Sequence, residues 1–549
     1  MNEICCKLVT SLEKVFPTKE PLGEAMPNTL TALQGETISF QFAYRWNFDF
    51  KGSAKIELNS PIAEKIQVRT VELVPCEYPC HYHHDDNYLV TEPGLYPDRL
   101  ACIPNNQIIL IPMQWRSLWI DLDTQGLEAG IYPIEIALKN GDVTYGSAKV
   151  NYEIVGSALP ALSIPHTEWF HSDCLANYYN VEVFSEEHWH IIENFIRTAV
   201  KRSCTMILTP VFTPPLDTAF GGERRTVQLV GVKVEQEGSY SFDFTKFERW
   251  VSICKACGVK YIEISHLFTQ WGASCAPKIM GEKDGKECKL FGWETSASSE
   301  QYKTFLQQFL RALKVELKCL EIEDVTWFHI SDEPEMSQLE SYQKAKEIVA
   351  EELDGYYTFD ALSDYKFYET GLVAQPVCAI DHIQPFLENR PEKLLTYYCT
   401  AQGNKVTNRF ISMPGARTRI LGTQLYKYNL DGFLHWGYNF YNAQFSINPI
   451  NPYCCTDADR AFPSGDAFLV YPGKDGIPEE SIRIMLMSEA MSDFRAMKYL
   501  EQLTDRETVM ACIEPEGSVT VGLEDYPKTT TEMIAIRARI NEKIKEIVS

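Results

Sequence analysis

Trp327-Phe328-His329-Ile330-Ser331-Asp332-Glu333-Pro334-Glu335 is an apolar run that ends in two adjacent carboxylates and a proline. The apolar run predicts a buried strand, and Pro334 is expected to end it and to hold Glu333 in an extended conformation. A long helical pattern precedes the strand, and a second begins at Ser337. This order is one step of an alternating β/α chain, in which catalytic residues lie at the C-terminal ends of strands.

The two carboxylates have two possible roles. Neighbouring side chains point to opposite faces of a continuing strand, but both can reach one pocket where the strand breaks into a loop. Two such acids can titrate apart, one protonated and one ionised, which is what acid/base work on a glycosidic bond requires. Acidic residues before a helix can also simply cap it. The motif alone leaves catalysis and capping open.

Size and charge restrict the class of protein. A chain of 549 residues with 45% hydrophobic residues allows two to four folded domains with a sizeable core. The formal charge of -24 would repel nucleic acid and anionic membranes, so a neutral small molecule or glycan is the expected partner. No apolar stretch reaches the roughly 18 residues of a membrane span, and the first residues do not resemble a signal peptide. We therefore predict a cytoplasmic location.

Two groups of residues raise the question of a metal or redox site. The 17 cysteines are scattered and odd in number, which predicts reduced thiols. Cys254 and Cys257 have redox or zinc-like spacing, but with Phe247 and Val251 they indicate a packed helix face. The run His81-Tyr82-His83-His84-Asp85-Asp86 has the composition of a metal site without a recognised ligand spacing. We expect it to form a solvated loop that reaches toward the barrel mouth, and we predict neither a metal nor a cofactor.

The N-terminal part, residues 1–160, is predicted to be a β-sandwich. Several segments alternate apolar and polar residues with period two. They are 36–44, 67–74, 117–122, 131–138 and 148–155. Asn140-Gly141 between the last two predicts a hairpin turn. Short strands at turn-marked intervals are typical of a sandwich.

Residues 165–503 are predicted to form a (β/α)8 TIM-type barrel. Eight strand patterns occur in series with helical stretches such as 185–201, 299–319 and 337–352. The strands are predicted at 168–170, 205–208, 261–264, 325–330, 356–359, 377–380, 394–398 and 432–436. A helix at 479–503 closes the barrel. Residues 504–549 form a C-terminal extension whose amphipathic helix places Met533, Ile536, Ile540, Ile544 and Ile547 on one stripe.

Several ordered motifs resemble glycoside hydrolase family 123. The resemblance extends over most of the chain and rests on Gly35-Glu36 with Gln41, Pro93-Gly94-Leu95-Tyr96-Pro97-Asp98 with Leu100, His329-Ile330-Ser331-Asp332-Glu333-Pro334, Tyr397-Tyr398-Cys399, Asp431-Gly432-Phe433-Leu434-His435-Trp436-Gly437-Tyr438-Asn439, and Gly465-Asp466-Ala467-Phe468-Leu469-Val470-Tyr471-Pro472-Gly473. It implies the same architecture, a sandwich followed by a barrel. It also implies an exo-acting β-N-acetylgalactosaminidase, or more broadly a β-N-acetylhexosaminidase.

The resemblance further implies substrate-assisted catalysis, in which the 2-acetamido oxygen of the substrate is the nucleophile. Glu333 would protonate the leaving oxygen and later deprotonate water. Asp332 would bind the acetamido N–H and stabilise the oxazolinium intermediate, so it should be ionised while Glu333 is protonated. Tyr398 could hydrogen-bond the acetamido carbonyl, although a core tyrosine with a backbone partner is an equally good interpretation.

Further candidates follow from their place after predicted strands. Trp436, Tyr438 and Asn439 are positioned for a sugar platform and its polar ligands. The other residues expected at the same barrel mouth are His171, Asp173, His266, Trp271, Asp360, Asp381 and His382. Three alternatives to the hexosaminidase stay open: a glycosidase of the same scaffold for another sugar, a catalytically silent carbohydrate-binding relative, and a metal-dependent hydrolase that uses residues 81–86.

Overall fold

The computed structural model describes residues 4–23 and 26–548, and its N-terminal part is a pair of five-stranded sheets. The strands are β1 (Ile4–Thr10), β2 (Thr29–Gln34), β3 (Thr37–Trp46), β4 (Gly52–Asn59), β5 (Ile66–Cys76), β6 (Gly94–Cys102), β7 (Gln107–Leu110), β8 (Trp115–Asp123), β9 (Gly130–Asn140) and β10 (Val143–Ala158). The sheet orders are β1-β3-β8-β5-β6 and β2-β10-β9-β4-β7. Only the β2–β10 pair among these described strands is parallel.

The alternating patterns explain this sandwich. Phe40, Phe42, Leu118 and Ile120 of one sheet share a buried apolar core with residues of the other sheet, such as Ile136. Phe40 and Phe42 are two positions apart on β3, and so are Leu118 and Ile120 on β8, because alternate side chains of a strand point to the same face. The predicted hairpin is also confirmed, because β9 and β10 pair in antiparallel register around Gly141, whose φ is 57°.

The middle of the chain contains the remaining strands. They are β11 (His166–Glu168), β12 (Met206–Thr209), β13 (Gly231–Gln236), β14 (Ser239–Asp243), β15 (Tyr261–Ile264), β16 (Ile279–Lys283), β17 (Lys286–Phe291), β18 (Thr326–Phe328), β19 (Tyr357–Leu362), β20 (Gln375–Ala379), β21 (Leu395–Tyr397), β22 (Gly432–His435), β23 (Val470–Tyr471) and β24 (Glu479–Glu480). Strands β11, β12, β15, β18, β19, β20, β21 and β22 form a closed parallel barrel in chain order. We number them barrel strands 1 to 8.

Eleven α-helices are described. They are α1 (Ser172–Tyr178), α2 (Glu186–Lys201), α3 (Thr245–Cys257), α4 (Glu300–Cys319), α5 (Leu339–Val349), α6 (Lys366–Glu369), α7 (Gln384–Glu388), α8 (Gly415–Lys427), α9 (Ile482–Leu503), α10 (Arg506–Ile513) and α11 (Thr530–Val548). The predicted fold class is therefore confirmed: N-terminal antiparallel sheets, an eight-stranded barrel and a C-terminal helix. All eight predicted barrel strands overlap an observed one. Among the described residues, no helix combines the length and apolar character that crossing a bilayer needs.

Some boundaries differ from prediction for local reasons. Helix α9 begins at Ile482 and not at 479, because Ser481 caps it by accepting from the Ile484 N–H, while Glu479–Glu480 pairs with β23. Ile547 at the end of α11 is 42% exposed, so the stripe buries only its first four predicted members. A sheet of order β14-β13-β16-β17 was not predicted; it lies in the excursions after barrel strands 2 and 3.

A buried ionic cluster joins the sandwich, the barrel helices and the C-terminal helix. Arg419 of α8 binds Glu489 and Asp493 of α9 at 2.8 and 2.7 Å. Arg537 of α11 binds the same Asp493 at 3.0 Å and Glu36 of the sandwich at 2.6 Å. Removing one partner of such a network leaves a buried charge unpaired and costs about 3–5 kcal/mol. The cluster therefore fixes α9 and α11 against the sandwich.

Candidate active site

A cavity of about 460 Å³ lies at the C-terminal ends of the barrel strands. This is the end at which barrel enzymes place their active sites. Aromatic and carboxylate side chains share its wall, a composition typical of small-molecule sites. They include Trp169, Asp332, Glu333, Tyr397, Trp436 and Phe445.

Asp332 and Glu333 both line this cavity, just after barrel strand 4. Glu333 has a φ of 41°, so the expectation that Pro334 holds it in an extended conformation is wrong. Its N–H donates to the carbonyl of Ala361 on barrel strand 5 at 3.1 Å, which fixes the turn. A left-handed conformation is unfavourable for a side chain larger than glycine and concentrates at functional sites. Here it turns two sequence neighbours toward one cavity.

The capping interpretation of the pair finds no support in the geometry. The helical turn at Met336–Gln338 is capped by its own residues, since Gln338 Oε1 accepts from the Glu335 N–H at 2.9 Å. The Glu333 carboxylate is used elsewhere. Tyr397 of barrel strand 7 donates its hydroxyl to Glu333 Oε1 at 2.5 Å.

The electrostatic environment raises the pKa of both carboxyl groups. Burial raises the pKa of Glu333; the Tyr397 hydrogen bond opposes this effect, and the charge of Asp381 adds to it. Burial also raises the pKa of Asp332 well above its ordinary value, helped by the charge of Glu333 and opposed by that of His329. The pair therefore retains a proton at a pH where surface carboxyls are ionised. Buried carboxyls with shifted pKa values in a cleft are candidates for acid/base chemistry.

A buried charge network lies beneath the pair. His329 bonds Glu263 through Nε2 at 2.6 Å and Asp360 through Nδ1 at 3.3 Å. Burial opposes the charge on His329, but the hydrogen bonds and charges of these two carboxylates raise its pKa to about 9. The imidazolium thus favours the ionised form of Asp332 from below. Asp360 was predicted at the barrel mouth; it lies one layer deeper and also accepts from the hydroxyl of Tyr342 at 2.5 Å.

Three predicted substrate contacts do not reach the cavity. Tyr398 is fully buried on the outer face of barrel strand 7, where its hydroxyl donates to Met487 Sδ at 3.2 Å. Tyr438 donates to the Phe195 carbonyl at 2.9 Å, and Asn439 bonds the main chain of His171 through both amide atoms. The structure corrects all three positions. Successive side chains of a strand alternate between faces, so Tyr397 and not Tyr398 faces the barrel interior.

His171 and Asp173 support the cavity wall from outside. Arg224 donates to Asp173 Oδ1 at 2.6 Å and to His171 Nδ1 at 3.0 Å. Burial and the charge of Arg224 lower the pKa of His171 to about 3, so the ring is neutral. Its Nε2–H donates to the carbonyl of Trp436 at 2.9 Å. These residues therefore position the loop that carries Trp436, and neither of them lines the cavity.

The other predicted residues divide into three groups. Trp436 and Trp271 line the cavity, and the Trp436 indole donates to buried Asp466 at 2.9 Å. His266 lies outside the lining, stacked on His329 with ring centroids 4.2 Å apart, and burial lowers its pKa well below the ordinary value. Asp381 and His382 bond each other at 2.8 Å in a neighbouring groove. Asp381 acts on Glu333 through its charge, and it accepts from Gln402, whose Oε1 in turn accepts from the N–H of Cys399 in the cavity lining.

The run His81–Asp86 supports the far side of the cavity. His81 Nε2 bonds the carbonyl of Thr400 at 2.6 Å, and Asp85 pairs with Arg417 at 3.0 Å. Tyr82 is 91% exposed. No group of three or more metal-ligating side chains lies close enough to share an ion within residues 4–23 and 26–548. The loop thus reaches the barrel mouth as expected and holds the segment after barrel strand 7.

Sequence reasoning missed four residues. Tyr397 and Glu263 face the barrel interior, and a correct reading of strand phase would have found both. Asp217 and Gln270 lie in the long excursions after barrel strands 2 and 3 and line the cavity. No local pattern marks either of them, because the segments that carry them, 210–230 and 265–278, contain no helix or strand that would fix which side chains face inward.

Comparisons with known proteins identify the family and the fold. The model of the glycoside hydrolase 123 catalytic domain matches residues 169–500. A family 123 glycoside hydrolase from Clostridium perfringens has the same fold, with a TM-score of 0.75, 14% identity, and coverage of 99% of this chain and 98% of that one. A family 39 glycoside hydrolase from Bacteroides cellulosilyticus reaches a TM-score of only 0.35 at 11% identity, covering 85% of this chain and 82% of its own.

A search of curated protein sequences found no match. The family model spans more than half of the chain and includes the carboxylate pair, seven of the eight barrel strands and most of α9. The chain belongs to glycoside hydrolase family 123.

Proposed function

We propose that this chain is a retaining exo-β-N-acetylhexosaminidase of the β-N-acetylgalactosaminidase type. The observation that carries the proposal is the adjacency of Asp332, which is buried, and Glu333, which is half-buried, in one cavity, both with raised pKa values. A conventional retaining enzyme places its acid and its nucleophile about 5 to 5.5 Å apart on opposite sides of the anomeric carbon. Adjacent carboxylates suit an enzyme whose nucleophile belongs to the substrate.

Each residue then has a distinct task. Glu333 protonates the glycosidic oxygen, and the 2-acetamido oxygen attacks the anomeric carbon to give an oxazolinium ion. Asp332 accepts the acetamido N–H and stabilises the positive charge that develops; the charge of His329 favours its ionised form against the larger opposing effect of burial. Glu333 then deprotonates the water that attacks the anomeric carbon and opens the oxazolinium ring. Tyr397 orients Glu333 throughout, and the Trp436 indole offers an apolar face to the sugar.

The neighbouring structure is consistent with such a substrate. The Clostridium perfringens enzyme was described for the hydrolysis of glycolipid glycans. At 14% identity this likeness shows the fold alone. The sugar and the aglycone that the present chain accepts are therefore inferred from its own cavity and tested by assay.

A panel of nitrophenyl β-glycosides with and without the 2-acetamido group tests the proposal. We expect hydrolysis only of the 2-acetamido sugars, retention of configuration in the first-formed product by proton NMR, and tighter inhibition by a thiazoline than by the free sugar. Equal rates on the plain galactoside would contradict substrate assistance. Initial release of the α-anomer would mean direct attack by water.

A second candidate is a glycosidase of the same scaffold with its own nucleophile. Asp217 favours it, because this carboxyl also lines the cavity and burial raises its pKa to about 6. Such an enzyme would cleave plain glycosides. A catalytically silent relative would bind sugar without turnover, and the same panel distinguishes it.

The pH dependence tests the role of Glu333 through its two neighbours. The acid must be protonated, so kcat/KM falls as the pH rises through the pKa of Glu333. Tyr397→Phe removes a hydrogen bond that stabilises the ionised form and should move this alkaline limb to higher pH. Asp381→Asn removes a like charge and should move it to lower pH.

Salt provides the control for this pair of variants. Asp381 is partly exposed, so its effect should shrink at high ionic strength, whereas the direct hydrogen bond from Tyr397 should be insensitive to salt. Shifts in the same direction for both variants would mean that the ionisation of Glu333 does not set the alkaline limb of kcat/KM.

A further inference from the structure

Asp217 and Gln270 form a polar patch in the cavity, which we call the polar wall. Gln270 Oε1 accepts from the Asp217 N–H at 2.8 Å. This bond fixes the orientation of the amide, because the NH₂ group could not accept a hydrogen bond from the Asp217 N–H. The NH₂ nitrogen Nε2 is buried and has no hydrogen-bond partner among the residues that the structure describes. The wall thus contains a donor that no described residue satisfies.

Asp217 supplies the complementary acceptor. Its Oδ2 accepts from the Phe445 N–H at 3.0 Å, and its carbonyl accepts from the Ser446 hydroxyl at 2.7 Å. These contacts lock the excursion after barrel strand 2 to the one after barrel strand 8. Oδ1 accepts no hydrogen bond from the described part of the chain. A hydroxyl group both donates and accepts, so it can satisfy Asp217 and Gln270 together.

The position of Glu333 decides which part of the substrate meets this wall. Strands 2 and 3 of an eight-stranded barrel lie across from strands 6 and 7. Glu333 is held toward strands 6 and 7, since it binds Tyr397 and feels the charge of Asp381. The general acid lies on the leaving-group side, so the aglycone lies toward strands 6 and 7. The ring of the terminal sugar therefore lies toward the polar wall.

We infer that Asp217 and Gln270 bind a ring hydroxyl of the terminal N-acetylhexosamine and set which sugar the enzyme accepts. This inference rests on the proposed function and names the specificity residues of the same site. A buried donor without a partner is unfavourable, and a substrate hydroxyl relieves it only when present and correctly placed. Sites built in this way discriminate strongly against analogues that lack the hydroxyl.

The test measures kcat/KM for nitrophenyl β-N-acetylhexosaminides and their 3-, 4- and 6-deoxy analogues. In the wild-type enzyme, removing one particular hydroxyl should cost about 10- to 100-fold. In Gln270→Glu, which keeps the acceptor for Asp217 N–H but loses the donor, the same removal should cost less than about threefold. Asp217→Asn should behave in the same way. Both replacements are isosteric, and thermal unfolding checks that each variant is folded.

Thr423→Val is the matched control. Thr423 of α8 does not line the cavity, and its buried hydroxyl also has no partner among the described residues. Its removal should leave the ratio between the parent and deoxy substrates unchanged. Equal deoxygenation penalties in wild type, Gln270→Glu and Asp217→Asn would overturn the inference. So would loss of all turnover in Asp217→Asn on every substrate, which would identify Asp217 as a nucleophile.

Failure of the proposed function is distinguishable from failure of this inference. If no N-acetylhexosaminide is cleaved, calorimetric binding of the free sugars and their deoxy forms replaces turnover. A deoxygenation penalty on binding that vanishes in Gln270→Glu would support the polar wall although the catalytic proposal had failed. A penalty that persists in the variant, or no binding of any sugar, would overturn the wall as well.

Discussion

Glu333→Gln should lower kcat/KM by about 10²- to 10⁴-fold on substrates with poor leaving groups, the usual range for a general acid. The amide cannot deliver a proton to the glycosidic oxygen, although it keeps the shape of the side chain and can still bond Tyr397. With a highly activated leaving group, such as dinitrophenolate, departure needs little protonation and the loss should shrink. The measurement is a plot of log kcat/KM against leaving-group pKa for wild type and variant.

The slope of that plot is the decisive quantity. The variant should be more sensitive to leaving-group pKa than the wild type, because it has lost the proton that makes poor leaving groups depart. Tyr397→Phe is the control, since it disturbs the orientation of Glu333 but leaves the acid in place, and its slope should stay close to that of wild type. Parallel lines for wild type and Glu333→Gln would show that Glu333 is not the acid.

The barrel and the position of the carboxylate pair at its mouth could be predicted because their signals are local. An apolar strand followed by acids and a proline marks the end of barrel strand 4, and the seven other strands could be counted as apolar runs in series with helical stretches. The left-handed conformation of Glu333 could not be predicted in this way. It depends on a hydrogen bond to Ala361, which lies 28 residues away on the next strand.

The error at Tyr398 shows how sensitive such reasoning is to strand phase. A shift of one residue moves a side chain from one face of a strand to the other. Leu395 and Tyr397 belong to the apolar cluster inside the barrel, whereas Tyr398 belongs to the outer core under the helices. The sequence Leu395-Thr396-Tyr397 contains the inward phase, because Thr396 is the polar member of the alternation. Tyr398 falls on the phase of Thr396.

The polar wall, in contrast, could not be predicted from the sequence. Asp217 lies between the second barrel strand, which ends at Thr209, and α3, which begins at Thr245. Its partners Gln270 and Phe445 follow barrel strands 3 and 8. Their meeting depends on closure of the barrel and on three irregular loops, which have no period to read. A composition-based search would have found only one more aspartate in an acidic chain.

Asp332→Asn should lower kcat/KM on N-acetylhexosaminides by about 10²- to 10³-fold, the usual cost of removing one group that stabilises transition-state charge. The amide is isosteric, but it has no negative charge for the oxazolinium ion. The loss should appear mainly in kcat, because the charge develops only as the intermediate forms. On a plain glycoside without the acetamido group, any residual rate should be nearly unaffected.

The same substitution should not destabilise the fold, and at neutral pH it should raise the melting temperature. Burial raises the pKa of Asp332 above its value of about 3.9 in an unfolded chain. The unfolded chain therefore binds fewer protons between these two pKa values, so the folded protein loses stability as the pH rises from the lower value through the higher one. Asparagine has no such dependence. The stabilising effect of the substitution should be present at pH 7. It should vanish below about pH 3.9, where Asp332 is protonated in both the folded and the unfolded chain.

Differential scanning calorimetry from pH 3.5 to 8, set beside the kinetics, separates a catalytic role for Asp332 from a structural one. A residue retained for stability would cost activity by loosening the fold, so the melting temperature and kcat would fall together. If the residue is retained for catalysis at the expense of stability, its substitution lowers kcat and raises the melting temperature. A melting temperature that fell at pH 7 in Asp332→Asn would show that the buried carboxylate holds the loop after barrel strand 4, and its part in the chemistry would then need another argument.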